Sequence, residues 1–311
     1  MNFRRFAIAT LVGLWLTTPL SVLRAAENNA AVELRDGFVP DLLPISDTPY
    51  SDDDRVVIGK DDRAPVLSFA YPYSTIGRID WALANGRSLG YCTGTLIGRD
   101  LVLTNSHCLT HPRTDEVVTP RKYQRGQDKI VFKPAMIRGE AQAEAEVIDF
   151  AYGWGENPDD PAEDWAILKL DRPLGDEFGY LGWLNPDFSN PEVIELLFGQ
   201  LRIVGYAGDF PTPSYREFGE AGETAGQHAG CGILGAEAGQ IFHQCDTNPG
   251  ASGSALLGLL DNGQYVVLGL HAGSVEYNQE WRLPNGEVSR YLNRGVAVAQ
   301  WATQAAQMRT E

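Results

Sequence analysis

From Val56 onward the sequence is a succession of short apolar runs of β-type composition, and that texture constrains the fold more than any other feature. The runs include Val66–Ala70, Gly90–Ile97, Leu101–Leu103, Ile130–Phe132, Glu146–Phe150, Ala166–Leu170 and Leu201–Tyr206. Bounded by turn formers at this spacing, they read as strands. With 33 glycines and 18 prolines in 311 residues, turns are available throughout. Ala255–Leu260 and Gln264–Leu270 flank Asp261-Asn262-Gly263. Asn-Gly between apolar runs is a strong hairpin signal, because both residues tolerate positive φ. One helix is expected, from Ala297 to Met308, with Trp301 and Ala305 on one face. The class is therefore all-β with a C-terminal helix.

The residues ahead of Val56 have a different texture. Arg4 and Arg5 precede an apolar run from Phe6 to Leu23, and the small residues Ala25 and Ala26 follow. Residues 1–26 thus read as a secretory signal peptide, with an uncleaved anchor helix as the alternative. No second stretch could span a membrane. Residues 27–55 are rich in proline and acid, lack apolar periodicity and read as a flexible pro-segment. It ends at Arg55, where an activating protease would cut to start the mature domain, 56–311, at Val56. The location implied is secreted or periplasmic, where disulfides persist. There are four cysteines, Cys92, Cys108, Cys231 and Cys245, which allow three pairings. The nearest-neighbour pairing, Cys92 with Cys108 and Cys231 with Cys245, is the one expected. No C-x-x-C pair or zinc-spaced histidines are present, so neither a metal nor another cofactor is expected. Charge removes another class: 25 Lys plus Arg against 41 Asp plus Glu give a net charge of −16. Such a surface repels phosphate backbones and anionic membrane, so nucleic acid is not an expected partner.

Three segments carry candidate chemistry. Gly250-Ala251-Ser252-Gly253-Ser254 sets a serine between glycines just before an apolar strand. Acyl transfer needs an alcohol on a tight turn with backbone N–H groups free to meet a developing oxyanion. Leu101-Val102-Leu103-Thr104-Asn105-Ser106-His107-Cys108 ends a buried strand with a histidine beside a cysteine. A general base must be held rigidly, and a neighbouring disulfide does that. Asp164-Trp165-Ala166-Ile167-Leu168-Lys169-Leu170 places a carboxylate at the mouth of another strand, where it can orient an imidazole. Asp149, inside Val147-Ile148-Asp149-Phe150, is a rival carboxylate. His111 and His228 lie in polar sequence and read as solvated, while His243 reads as a structural hydrogen-bonder.

Together with Cys92-Thr93-Gly94-Thr95-Leu96-Ile97, Asp246-Thr247-Asn248-Pro249 and Gly269-Leu270-His271-Ala272-Gly273, these motifs resemble the trypsin-like (chymotrypsin-fold) serine proteases. The likeness is to the bacterial branch that includes the glutamyl endopeptidases, and it covers Val56 to about Met308. Val57-Ile58-Gly59-Lys60-Asp61-Asp62-Arg63 also resembles the start of the mature relatives. The resemblance implies two six-stranded antiparallel β-barrels with the active site between them. It makes His107 the base, Asp164 its orienter and Ser252 the nucleophile, with the N–H groups of Gly250 and Ser252 as the oxyanion hole. One departure stands out. Digestive-type relatives carry an aspartate just before the nucleophile, which pairs with the new N-terminus on activation; here that residue is Ala251.

The same resemblance gives two answers for the specificity pocket. Asp246 stands where a carboxylate selects Arg or Lys in trypsin. Thr247 and His271 stand where glutamyl endopeptidases bind a substrate carboxylate, and Val56 could add its amine. The expected function is a secreted endopeptidase acting on proteins or peptides, with Glu or Asp preferred ahead of the scissile bond. The alternatives are Arg/Lys specificity on the same fold and a catalytically silent homologue acting as a binding module.

Overall fold

A computed structural model describes residues 34–44, 61–155, 160–282 and 288–310. The signal peptide, most of the 27–55 stretch and Val56 lie outside the described residues. The strands in chain order are β1 (Ala64–Pro65), β2 (Ile76–Ala82), β3 (Ser88–Leu96), β4 (Leu101–Thr104), β5 (Thr110–His111) and β6 (Glu116–Val117). They continue with β7 (Lys129–Pro134), β8 (Ala145–Tyr152), β9 (Ala166–Leu170), β10 (Gly182–Trp183), β11 (Leu201–Gly205) and β12 (Gly226–Cys231). The last are β13 (Ile233–Glu237), β14 (Gln240–His243), β15 (Ala255–Leu259), β16 (Tyr265–Arg282) and β17 (Val288–Ala297), before a helix, Val298–Met308.

Six strands close a barrel in the order β2-β3-β4-β9-β8-β7. Ile79, Trp81, Leu96, Val102, Phe132, Val147 and Leu168 fill it. Gly94 is glycine for a packing reason: a Cβ there would stand 2.6 Å from the Ile79 and Val102 side chains. The second half differs from the expected twin barrel. It is a nine-stranded sheet, β1-β12-β11-β15-β16-β17-β14-β13, with β10 also paired to β16, and no hydrogen-bonded ladder closes it. Its far strands are β1 and β13, and β13 follows β12, the neighbour of β1, with only Gly232 between them. The chain therefore passes directly from near one border of the sheet to the other. A further cluster binds the halves together, drawing Leu103 and Ile167 from the barrel and Val204, Leu257 and Val267 from the sheet. In the same cluster Trp183 and Trp301 meet edge to face at 5.4 Å. The terminal helix buries Trp301 and Ala305 completely, as their shared face predicts.

The Asn-Gly hairpin forms: β15 and β16 are antiparallel, and Gly263 takes φ +83° at the turn. Val66–Ala70 is not a strand. Its neighbours pair instead through β1, and Val66 N–H is used by the carbonyl of Ala225 outside any ladder.

Residues 34–44 correct the reading of 27–55 as flexible throughout. Arg35 and Trp183 exchange backbone hydrogen bonds of 2.9 and 3.0 Å, and Phe38 and Tyr180 exchange two of 2.8 Å. Such docking needs no apolar periodicity, only close backbone approach. Gly182 provides it, since a Cβ there would stand 1.9 Å from the Arg35 carbonyl oxygen. Arg309 fastens the assembly from beyond the helix. Its guanidinium donates to the carbonyls of Ile97, Asp36 (2.8 Å) and Leu181 (2.7 Å). The rings of Trp183 and Tyr180 flank it at 4.2 and 5.0 Å. One side chain thus ties the barrel, the docked segment, the connection between the halves and the helix. Hydrogen bonds from a charged donor are worth about 1.5–3 kcal/mol each, and several are lost together here. Arg309→Ala should lower unfolding free energy by about 3 kcal/mol in urea titrations. Arg309→Lys should recover less than half, because an ammonium cannot span three carbonyls. Wild-type stability in the alanine variant would contradict this account.

Candidate active site

Strand pairing brings the first two candidate residues together. β4 and β9 are antiparallel, with Thr104 opposite Ala166. The chain leaving β4 and the chain arriving at β9 therefore lie side by side, and these carry His107 and Asp164. His107 Nδ1 is 2.7 Å from Asp164 Oδ2, and the His107 backbone N–H donates to Asp164 Oδ1 at 3.0 Å. Asp164 is 2% exposed. An ionised carboxylate only accepts, so Nδ1 carries the proton and Nε2 presents its lone pair. Asn105 Nδ2 donates to the Asp164 carbonyl and Ser106 Oγ to that of Trp165, which hold the two loops in register. Asp149 is exposed on β8, where its carboxylate caps the N–H of Phe150 and takes no part.

The serine turn is built by alternation. The N–H groups of Ala251, Gly253 and Ser254 donate to Asn248, His271 and Ala251 carbonyls at 2.9–3.0 Å. Among the described residues, those of Gly250 and Ser252 have no protein acceptor. Gly250 sits at φ +100°, a left-handed value that glycine adopts at no steric cost. A Cβ there would stand 2.6 Å from the Tyr206 carbonyl oxygen. The result is a pair of uncommitted backbone donors flanking one residue, the arrangement that binds an anionic oxygen.

Both expected disulfides are formed, Cys92–Cys108 and Cys231–Cys245. The first links the two halves of the site. His107 adjoins Cys108, which is bonded to Cys92; the next residue, Thr93, donates its N–H to the Ser252 carbonyl at 2.8 Å. Thr93 Oγ1 also donates to the Gly250 carbonyl at 2.9 Å.

Residues 92–270 match the trypsin-like peptidase domain family. The chain belongs to that family, whose members hydrolyse peptide bonds. Over 240 residues it is 25% identical to a glutamyl endopeptidase of Bacillus licheniformis, a match covering 76% of this chain and 67% of that protein. Over 222 residues it is 27% identical to serine protease 23 of Homo sapiens, a match covering 65% of this chain and 50% of that one. This trypsin-like peptidase therefore spans about half the length of the latter. Among solved structures, a Glu endopeptidase in complex with MPD superposes with a TM-score of 0.56 at 24% identity. That superposition covers 82% of this chain and all of the other, and it supports the chymotrypsin fold.

In this trypsin-like peptidase His271 lies beside the serine turn, since Gly253 N–H donates to its carbonyl and its own N–H donates to Ser254. The ring is buried, which with repulsion from Arg294 and from His107 whenever that is protonated pushes its pKa down to about 3. Burial likewise holds His243 well below the ordinary imidazole value, and the nearby His271 and His228 would add repulsion if protonated. Both rings are thus neutral at pH 7, and their tautomers follow from one chain of bonds. The Cys245 N–H donates to His243 Nδ1, so the His243 proton is on Nε2. That proton points at His271 Nδ1, 3.1 Å away. The remaining proton of His271 is therefore on Nε2, available as a neutral donor. His243 is the structural bonder expected from sequence.

Asp246 is tied inward. It accepts from the Asp62 N–H at 3.2 Å, its own N–H donates to His228 Nδ1 at 2.8 Å, and burial pushes its pKa up to about 7. Thr247 is half-buried. His228, expected in solvent, is 1% exposed on β12, because Asp246 supplies the polar partner that its sequence neighbours lack. His111 is also not solvated: Asp128 Oδ2 lies 3.0 Å from its Nε2, and Trp81 packs on its ring. Sequence reasoning missed Thr93, whose only signal was its place after Cys92. It also missed Trp154, whose ring lies 6.4 Å from that of His107.

Neutral buried histidines make stability depend on pH. The unfolded chain protonates near pH 6.5, while the folded His271 resists protonation to about 3. Their contribution is full above 6.5 and is lost as pH falls towards 3, by about 1.4 kcal/mol per pH unit per proton. Asp246, shifted upward, acts with the opposite sign and cancels in a variant-minus-wild-type difference. Between pH 6 and 4.5, His271→Gln should lose stability less steeply than wild type, by about one proton's slope. Equal slopes in urea titrations at the two pH values would refute the neutral-ring assignment.

Proposed function

We propose that the chain is an exported serine endopeptidase that works through an acyl-enzyme on Ser252. The observation carrying the reading is the His107–Asp164 pair, tied by the Cys92–Cys108 bridge to the turn that bears Ser252. His107 Nε2 takes the Ser252 proton as Oγ attacks the substrate carbonyl. The N–H groups of Gly250 and Ser252 receive the oxyanion. His107 then protonates the departing amine, and a water activated by the same ring releases the acyl group. Two donors left free on the serine turn argue against a silent binding module, which would have no use for them. Export is supported by the signal-like start and by two disulfides.

For specificity we infer cleavage after Glu, with Asp second. A neutral His271 with a free Nε2–H suits a carboxylate, and Thr247 can add its hydroxyl. The competing choice of Arg or Lys would need an ionised, accessible Asp246. Its carboxyl instead serves the Asp62 N–H and is half protonated near neutral pH. Asp62 lies six residues after Val56 in sequence and donates its N–H to Asp246, which leaves a role for an amine freed at Val56 open to test.

A fluorophosphonate probe should label the processed wild-type chain and leave Ser252→Ala unlabelled. Peptide turnover should fall by about 10⁴-fold or more in the variant. Labelling that persists in Ser252→Ala would move the nucleophile elsewhere. Cleavage-site profiling should place Glu ahead of the scissile bond; Arg or Lys there, lost in Asp246→Asn, would overturn the acidic reading alone.

A further inference from the structure

Several cations in this acid-rich chain sit against carboxylates. Arg63 pairs with Asp61 and Asp209, Arg78 and Lys133 with Asp80, Arg99 with Asp176 and Lys169 with Asp100. Arg294 is set apart by a buried nitrogen with nothing to donate to. On β17 it faces Gly273, next to the pairing of His271 with Gly295. No carboxylate lies within 4.0 Å of its guanidinium among the described residues, and its Nε is buried without a hydrogen-bond partner. Gly273 leaves the group uncovered: the atom nearest to a Cβ built there is Arg294 Nε itself, at 3.8 Å. The charge reaches the His271 ring, where it opposes protonation. His271 in turn is hydrogen-bonded to the backbone of Gly253 and Ser254. Arg294 therefore stands one strand away from the serine turn, beside the proposed pocket.

An unpaired, partly desolvated guanidinium costs free energy in the empty protein. The cost is recovered when a carboxylate arrives, and Arg is suited to receive it with paired N–H donors. The surroundings make that arrival unfavourable in every other way, because a net charge of −16 repels acidic peptides. A neutral His271 supplies a donor but no charge.

We propose that Arg294 is a specificity-determining residue, whose guanidinium receives an acidic side chain on the acyl side of the bound peptide. This rests on the reading of Ser252 as nucleophile and of the substrate as acidic. His271 orients the carboxylate by a hydrogen bond, and Arg294 supplies the positive potential that holds it.

The test compares matched peptides differing only by Glu or Gln at each position from P1 to P4. In Arg294→Ala, kcat/KM for the preferred Glu peptide should fall about 10- to 100-fold, mostly through KM. The Gln peptide should lose much less than the Glu peptide, and fluorophosphonate labelling of Ser252, which involves no substrate carboxylate, should persist. Arg294→Lys should recover part of the loss, and added salt should weaken Glu-peptide binding in wild type more than in the alanine variant. Calorimetric titration of a Glu-ending product peptide into Ser252→Ala, with and without Arg294→Ala, gives the same comparison without turnover. An unchanged Glu-to-Gln ratio in a normally labelled, normally stable variant would overturn the role of Arg294. Failure of wild type to label would instead strike the catalytic reading, and labelling without any Glu preference would strike the acidic one.

Discussion

The Cys92–Cys108 bridge is the constraint on which the rest of the site depends. His107 hangs from the end of β4 in the barrel, while Ser252 precedes β15 in the other sheet. Two loops from separate halves would drift relative to one another if only packing held them. The bridge, with Thr93 donating to Ser252, makes the path between them two peptide links, one disulfide and one hydrogen bond. A displacement of about 1 Å can cost a hundredfold in rate, so this shortness matters for chemistry more than for stability. Asp164 needs no such device, because the β4–β9 pairing already holds it against His107.

Much of this was legible before the structure. Contiguous apolar runs announced β4, β9 and β11, and Asn-Gly announced the β15–β16 turn. The terminal helix was marked by alanines around Trp301. What escaped was made of residues without such a signal. β12 reads Gly-Gln-His-Ala-Gly-Cys and forms because β11 and β1 offer it partners on both sides. The docking of 34–44 rests on Gly182 and Arg309, far away in sequence. At the site, residue types and order pointed to His107, Asp164 and Ser252. The burial of His228 and the tautomer of His271 did not follow from sequence, because both depend on which strands face each other.

Electrostatics in this protein is local. The surface is anionic, yet the chain places cations at chosen points and settles several of them with carboxylates. Arg63 illustrates the rule: it is 7% exposed, held by Asp61 and Asp209, and stacked on Phe210. That cluster lies beside Ala251, which packs with Ala207 and Phe210 where digestive-type relatives would bury a charge. The polar partners of the segment after Val56 are thus already in place around Asp246. Titration there is governed by burial first and by neighbours second.

The meeting of β12 and β13 at Gly232 has a consequence for how copies of the chain behave towards one another. An open sheet of nine strands would offer long rows of unpaired N–H and C=O groups to any other strand, a template for self-association. Here the outer edge of β12 is covered by β1, which is two residues long and ends in Pro65, a residue with no N–H to give. β12 passes into β13 through Gly232 alone, so one end of the short β13 edge is tied to the opposite border. The sheet guards its own borders, and a concentrated solution of the protein has few places to begin a fibre.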